Sequence, residues 1–268
     1  MTLGFSVEAL MQDARGGGAL RMGLKRVDPA EWLQPDFDRA ARAEAFDRHP
    51  DSVQALAGAE PAVAELCALL GTDSLEAAGR SHWEDFCLLQ RGGDGQYRLT
   101  AAALGFPTDW QLAQKLGLPL TQIHAPIHGY AEQLASGVDH FFATLAPGSI
   151  FGRANWFVVA NADWRYMPTD DPAARFAHVT ADNAGQTLFV RCERQTLRRL
   201  PETGAMLFTI GIAVSPLDPL SPATVTRVSE AVKATASGEH ERRAAPYYAR
   251  ALADYAAARA DMIEAIDD

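Results

Sequence analysis

The chain has 268 residues, enough for one large domain or a domain with a helical annex, and its 48% apolar and 22% charged content is that of a globular protein. Its 24 basic against 34 acidic residues, a formal charge of -10, argue against a nucleic-acid partner, which needs a basic surface. No apolar run approaches the roughly 18–20 residues of a membrane span, and Met1–Phe5 lacks the charged-then-apolar order of a secretory signal, so no membrane partner and a cytoplasmic location are expected.

The first 25 residues carry Gly16-Gly17-Gly18 and little periodicity, which reads as an irregular lead-in. Asp28-Pro29-Ala30-Glu31-Trp32 predicts an N-capped helical turn with Pro at the first helical position. Helical spacing follows at 36–48, 59–71 and 74–80, with a Leu66, Leu69, Leu70 stripe stopped by Gly71. Residues 1–82 are thus expected to form a helical N-terminal region. At Trp83 the texture changes: 84–91 and 96–105 flank the turn Gly92-Gly93-Asp94-Gly95, a β-hairpin signature.

Helices are expected at 109–117 and 130–145, and strands at 150–160, 187–199 and 205–215. Pro201-Glu202-Thr203-Gly204 joins the last two strands, 161–186 reads as a polar excursion, and 221–236 and 246–266 are helical. The expected class is α+β: a five-stranded antiparallel sheet with helices on one face, spanning 83–220, between N-terminal and C-terminal (221–268) helical extensions. Helices inserted between the second and third strands give the order of a PAS-like fold, in which they wall a ligand pocket. Cys67, Cys87 and Cys192 form no CxxC pair and read as buried structural thiols.

Three segments concentrate chemistry. Ile123-His124-Ala125-Pro126-Ile127-His128-Gly129-Tyr130 sets an imidazole in a Pro/Gly-punctuated loop before an amphipathic helix. Arg153-Ala154-Asn155-Trp156 and the run from Glu193 to Pro201 place polar groups inside strand-like segments. A buried polar group without a partner costs roughly 1–3 kcal/mol, so these need partners, which a ligand or cofactor with charged edges would supply. By strand alternation Glu193 and Gln195 share one face while Arg194 and Thr196 share the other.

These stretches, with Met22-Gly23-Leu24, Trp32-Leu33, Leu104-Gly105-Phe106-Pro107, Asp109-Trp110 and Lys115-Leu116-Gly117, resemble the haem-dependent oxidative N-demethylase catalytic (alpha) subunit family and its uncharacterised relatives. The resemblance covers about residues 22–220. It implies a PAS-like fold holding non-covalent haem b. It also implies a reaction in which O2 and reductase-supplied electrons convert a secondary amine such as dimethylamine to a primary amine and formaldehyde. The family's electrons come from separate NADPH-, flavin- and iron–sulfur-carrying subunits, and this chain has neither a Gly-x-Gly-x-x-Gly nor clustered cysteines of its own. Two other readings stand beside it: a haem- or small-ligand-binding sensor, and a haem-free relative with an assembly role.

Under the resemblance His124 becomes the axial iron ligand; otherwise it is a hydrogen-bonded structural histidine. The family loop often reads His-x-Pro-Val-Pro-Gly, and Ile127-His128 stand here where Val-Pro would, making His128 a second candidate. Arg194 and Arg153 would pair with haem propionates, or with acidic residues across the sheet. Tyr130 would bond a propionate or simply begin its helix. Glu193 would be the counter-charge of a protonated amine, with Asn155 and Gln195 lining the same substrate pocket, or would close a strand network.

Overall fold

The five long strand-like runs assemble side by side, and two short strands extend them. The computed structural model describes residues 3–14, 20–127, 129–235 and 237–267. Its strands are β1 (Lys25–Val27), β2 (Val53–Ala55), β3 (Asp85–Arg91), β4 (Tyr97–Ala103), β5 (Ile150–Val159), β6 (Phe189–Arg199) and β7 (Met206–Pro216). They form one antiparallel sheet in the order β1-β5-β6-β7-β3-β4-β2. The sheet therefore has seven strands where five were expected. The two extra strands are three-residue edges from the N-terminal region, too short for a period of two to register in sequence.

The helices are α1 (Val7–Leu10), α2 (Arg39–Arg48), α3 (Glu60–Leu70), α4 (Leu75–Ser81), α5 (Leu112–Lys115), α6 (Leu120–Ile123), α7 (Tyr130–Gln133), α8 (Ala135–Thr144), α9 (Pro172–Phe176), α10 (Ala184–Thr187), α11 (Pro222–Lys233), α12 (Ser237–Arg242) and α13 (Ala249–Asp267). Several boundaries carry the expected chemistry. Asp28 caps the turn at Pro29–Glu31, Ser74 caps α4, Ser221 caps α11, and Gly71 ends α3 at a φ of 67°. The expected helix at 109–117 contracts to α5, and the one at 130–145 breaks at Leu134 into α7 and α8. The polar excursion holds α9 and α10, and α1 lies in the segment expected to be irregular, whose Gly16–Gly18 are outside the described residues. Between β6 and β7 the turn closes through Leu200 N–H to Ala205 O, 2.8 Å, and Gly204 supplies a φ of 71° that a β-carbon would strain.

Helices cover both faces of the sheet, not one. On the first face Trp156, Val158, Val190 and Cys192 pack against Val225, Val228 and Leu252, while Phe86, Leu88 and Leu207 pack against Phe46, Leu66 and Leu75. On the opposite face Ile210 and Ile212 meet Trp83, Phe106 and Trp164, and Leu89 and Met206 meet Phe142 and Leu145 of the α8 region. Each side chain of this size contributes about 1.5–3 kcal/mol on full burial. Residues of β6 and β7 are buried on both sides, beneath both covers. The three cysteines are buried and unpaired.

Buried charges fix the loop that leads to the site. Arg42 is fully buried and donates to Asp85 Oδ1 at 2.7 Å, Glu84 O at 2.8 Å and Gly79 O at 2.7 Å. Asp85 in turn accepts from the N–H groups of Gly105 and Phe106. From the other side Arg191 donates to Phe106 O, Trp164 O, Asp163 O and Thr108 Oγ1. The Leu104–Thr108 loop is thus clamped between two guanidiniums, and the chain leaves it toward α5 and α6 on the second face.

Candidate functional site

The site grows from the register of β5 on β6. Arg153 lies opposite Gln195 and Asn155 opposite Glu193, so the pleat puts all four side chains on the face covered by α5–α8. They form one hydrogen-bonded row. Arg153 Nε donates to Gln195 Oε1 at 2.8 Å, and Gln195 Nε2 donates to Glu193 Oε2 at 2.9 Å. Asn155 Nδ2 donates to the same Glu193 oxygen at 3.2 Å.

The cover brings His124 and Tyr130 to this row. Residues 117–119 run along the free edge of β4, through Gly117 N–H to Leu99 O at 2.7 Å and a bridge between Arg98 and Pro119. That anchors α6, whose C-terminal residue is capped by His124. The imidazole Nδ1 lies 2.9 Å from Leu120 O, which fixes the Nδ1–H tautomer and leaves Nε2 as the free lone pair. The ring stacks on Tyr130 with centroids 4.4 Å apart and planes 17° apart. Lys115 Nζ donates to Ile123 O at 3.0 Å and ties down the turn just before the histidine.

Electrostatics links these groups. Burial lowers the His124 imidazole below its usual range, and the nearby charges of Arg153 and Lys115 act in the same direction, so the ring is held neutral. Burial pushes the Tyr130 phenol up to about 12. Burial also pulls the Arg153 guanidinium down, against the support of Glu193 and Tyr130. Among the described residues no hydrogen bond engages His124 Nε2, Tyr130 Oη, Arg153 Nη2 or Glu193 Oε1. Four polar groups of distinct chemistry therefore each keep an unengaged atom on one side of the sheet.

Other candidates lie elsewhere. Arg194 points to the opposite face, as alternation requires. There it donates to Gly4 O at 2.9 Å, Trp32 O at 2.8 Å and Glu31 O, with Phe5 stacked over its guanidinium. It is a clamp on the N-terminal segment and does not join Arg153. His128 is outside the described residues. Sequence reasoning missed Lys115 as a tether, although the Lys115-Leu116-Gly117 stretch had been marked. It also missed the approach of residues 20–22, where Leu20 N–H reaches Gln133 Oε1 at 2.8 Å and Met22 O accepts from Arg153 Nη1 at 3.3 Å.

Two concavities open away from this row. One lies beside Phe5, Trp83, Trp164 and Val214, the other beside Phe46, His49 and Arg80. Neither holds a group from the row, and Glu8 of the first already accepts from Ser221 and Thr224. Among the described residues no three His, Cys, Asp or Glu cluster as a protein-only metal site. A neutral, oriented imidazole with a free Nε2 and a buried guanidinium with an unengaged nitrogen are the donor types that an iron carried in a macrocycle and its carboxylates would use. No helix of the described residues is long and apolar enough to cross a membrane.

The sequence comparison falls on this architecture. Residues 71–247 match the family described as haem-dependent oxidative N-demethylase, alpha subunit-like, a span that includes β3–β7, the imidazole loop and the whole Arg153–Glu193 row. That is well over half of the 268 residues, and the chain belongs to the haem-dependent oxidative N-demethylase, alpha subunit-like family.

Proposed function

We propose that this chain is the haem-binding subunit of a multi-subunit oxidoreductase that demethylates a small secondary amine. One observation carries the reading: His124 commits Nδ1–H to a main-chain carbonyl and offers a neutral Nε2 beside the face where Arg153 and Glu193 remain open. His124 would be the axial ligand. Arg153, with the neutral Tyr130 hydroxyl near it, would receive a propionate. Bound haem supplies the activation of O2 by electrons from separate NADPH-, flavin- and iron–sulfur-carrying subunits.

The chain's own residues bind and orient. Glu193 holds the ammonium proton of the amine at Oε1, while Asn155 and Gln195 fix the carboxylate through Oε2. The overall change balances as a secondary methylamine, O2, two electrons and two protons giving a primary amine, formaldehyde and water. The PAS-like comparison belongs to the same proposal. β4-β3-β7-β6-β5 is the run of inner strands, and α5–α8, inserted between β4 and β5, wall one face of it.

The test is a visible absorption spectrum of the protein expressed with haem supply, before and after dithionite and with added dimethylamine. A Soret band that moves on reduction and again with the amine supports the proposal. A colourless protein that also refuses added haemin removes it and leaves an assembly role.

A further inference from the structure

Arg153 and Glu193 are of opposite charge and lie on adjacent strands, yet no ion pair joins them among the described residues. Their positions are diagonal in the register, one residue pair removed from direct opposition. Diagonal neighbours sit about 7–8 Å apart, within reach of an arginine. In a half-buried setting such a pair would ordinarily close.

What stands between them is Gln195. Its amide is the one neutral side chain that serves both ends, accepting from Arg153 Nε through Oε1 and donating to Glu193 Oε2 through Nε2. A carboxylate there would repel Glu193, and a lysine would repel Arg153. A shorter residue would leave the gap unspanned. The amide engages one side of each charged group and leaves Arg153 Nη2 and Glu193 Oε1 unused.

We propose that Gln195 is a positioning residue, a spacer that prevents Arg153 and Glu193 from neutralising each other and so keeps the site two-charged. The site then takes an anionic group at Arg153 and a cationic group at Glu193, held apart by the length of one amide. The inference stands on the charge row itself and is independent of whether haem binds.

The experiment uses the full chain purified without added haem. Arg153→Met and Glu193→Gln are combined in a double-mutant cycle read by melting temperature, first in the wild-type background and then with Gln195→Ala or Gln195→Thr. In the wild type the two shifts should couple only weakly, through the shared amide and the field of Glu193 at Arg153. In either Gln195 background the departure from additivity should exceed that of the wild type by about 2 °C or more, the size of a newly formed ion pair in a chain of this length. A crystal structure of the better-behaved Gln195 variant should show an Arg153 nitrogen within 4 Å of a Glu193 oxygen. Wild-type coupling as large as that in the Gln195 variants overturns the proposal. A Gln195 variant whose coupling does not rise above the wild type, or in which the two groups stay apart, overturns it as well.

Discussion

Glu84 offers the sharpest quantitative test of the core. It is fully buried, its Oε1 accepts from Gln34 N–H at 2.8 Å, and its Oε2 has no partner. It packs beside Gly211, directly across β7 from Arg194, but Arg194 spends its donors on the carbonyls of residues 4, 31 and 32. Burial dominates the attraction of Arg194 and Arg42 and raises the carboxyl from 4.5 to about 7. Between those two values the unfolded chain has released the proton and the folded chain still holds it. Stability therefore falls as pH rises from 4.5 and levels off above 7, with a total loss of about 3 kcal/mol. Glu84→Gln keeps the acceptor for Gln34 and removes the ionisation. Urea unfolding at several pH values should show the variant level with wild type near pH 4 and more stable by about 3 kcal/mol at pH 8. Other titrating groups cancel in the difference. A difference that does not change with pH, or a variant that is weaker at pH 8, would refute the reasoning.

His124→Ala should abolish retention of haem while leaving the far-ultraviolet circular dichroism unchanged; a variant with a full Soret band sinks the axial assignment. Glu193→Gln removes the open carboxylate but not the row, so the haem spectrum should persist while dimethylamine affinity, read from the spectral titration, falls by roughly ten- to a hundredfold. Arg42→Met leaves the buried Asp85 carboxylate facing only two main-chain N–H groups, and a loss of about 3–5 kcal/mol in urea unfolding is expected. A loss below about 1 kcal/mol would show that Asp85 finds another cation or water.

The long strands were legible because most are apolar runs and each has a Gly or Pro near one end, and β6, rich in charge, revealed its two faces through simple alternation. That alternation separated Arg194 from Glu193 and Gln195 before any coordinates. The destination of Arg194 was not legible, because its acceptors are main-chain carbonyls about 160–190 residues earlier, and carbonyls carry no sequence signature. The paired edges β1 and β2 were hidden by their shortness. The helices between β4 and β5 were expected, though α5–α7 prove to be single turns; the second cover was hidden because it comes from the N-terminal and C-terminal helices, whose sequence does not say which face they pack on. The charged core was missed, although Trp83-Glu84-Asp85-Phe86 and Val190-Arg191-Cys192 each set a charge inside an apolar run. The same question asked of Glu193, where its partner lies, would have singled them out. Within the site, Arg153, Asn155, Glu193 and Gln195 form one row. Their order as a relay from Arg153 to Glu193 depends on a register that only the paired strands define.

The clamp of Arg194 on Gly4, Glu31 and Trp32 has a consequence for biosynthesis. The chain emerges from its amino end at about 5–20 residues per second, so the 190 residues between Gly4 and Arg194 take roughly 10–40 s to appear. Over that interval Val7, Leu10 and Met11, all buried in the finished fold, have no seat, and the Ser221 that receives Glu8 is made later still. The turn Val7–Leu10 therefore waits for partners made long after it, and slowing translation before β6 should lengthen the exposure of its apolar residues.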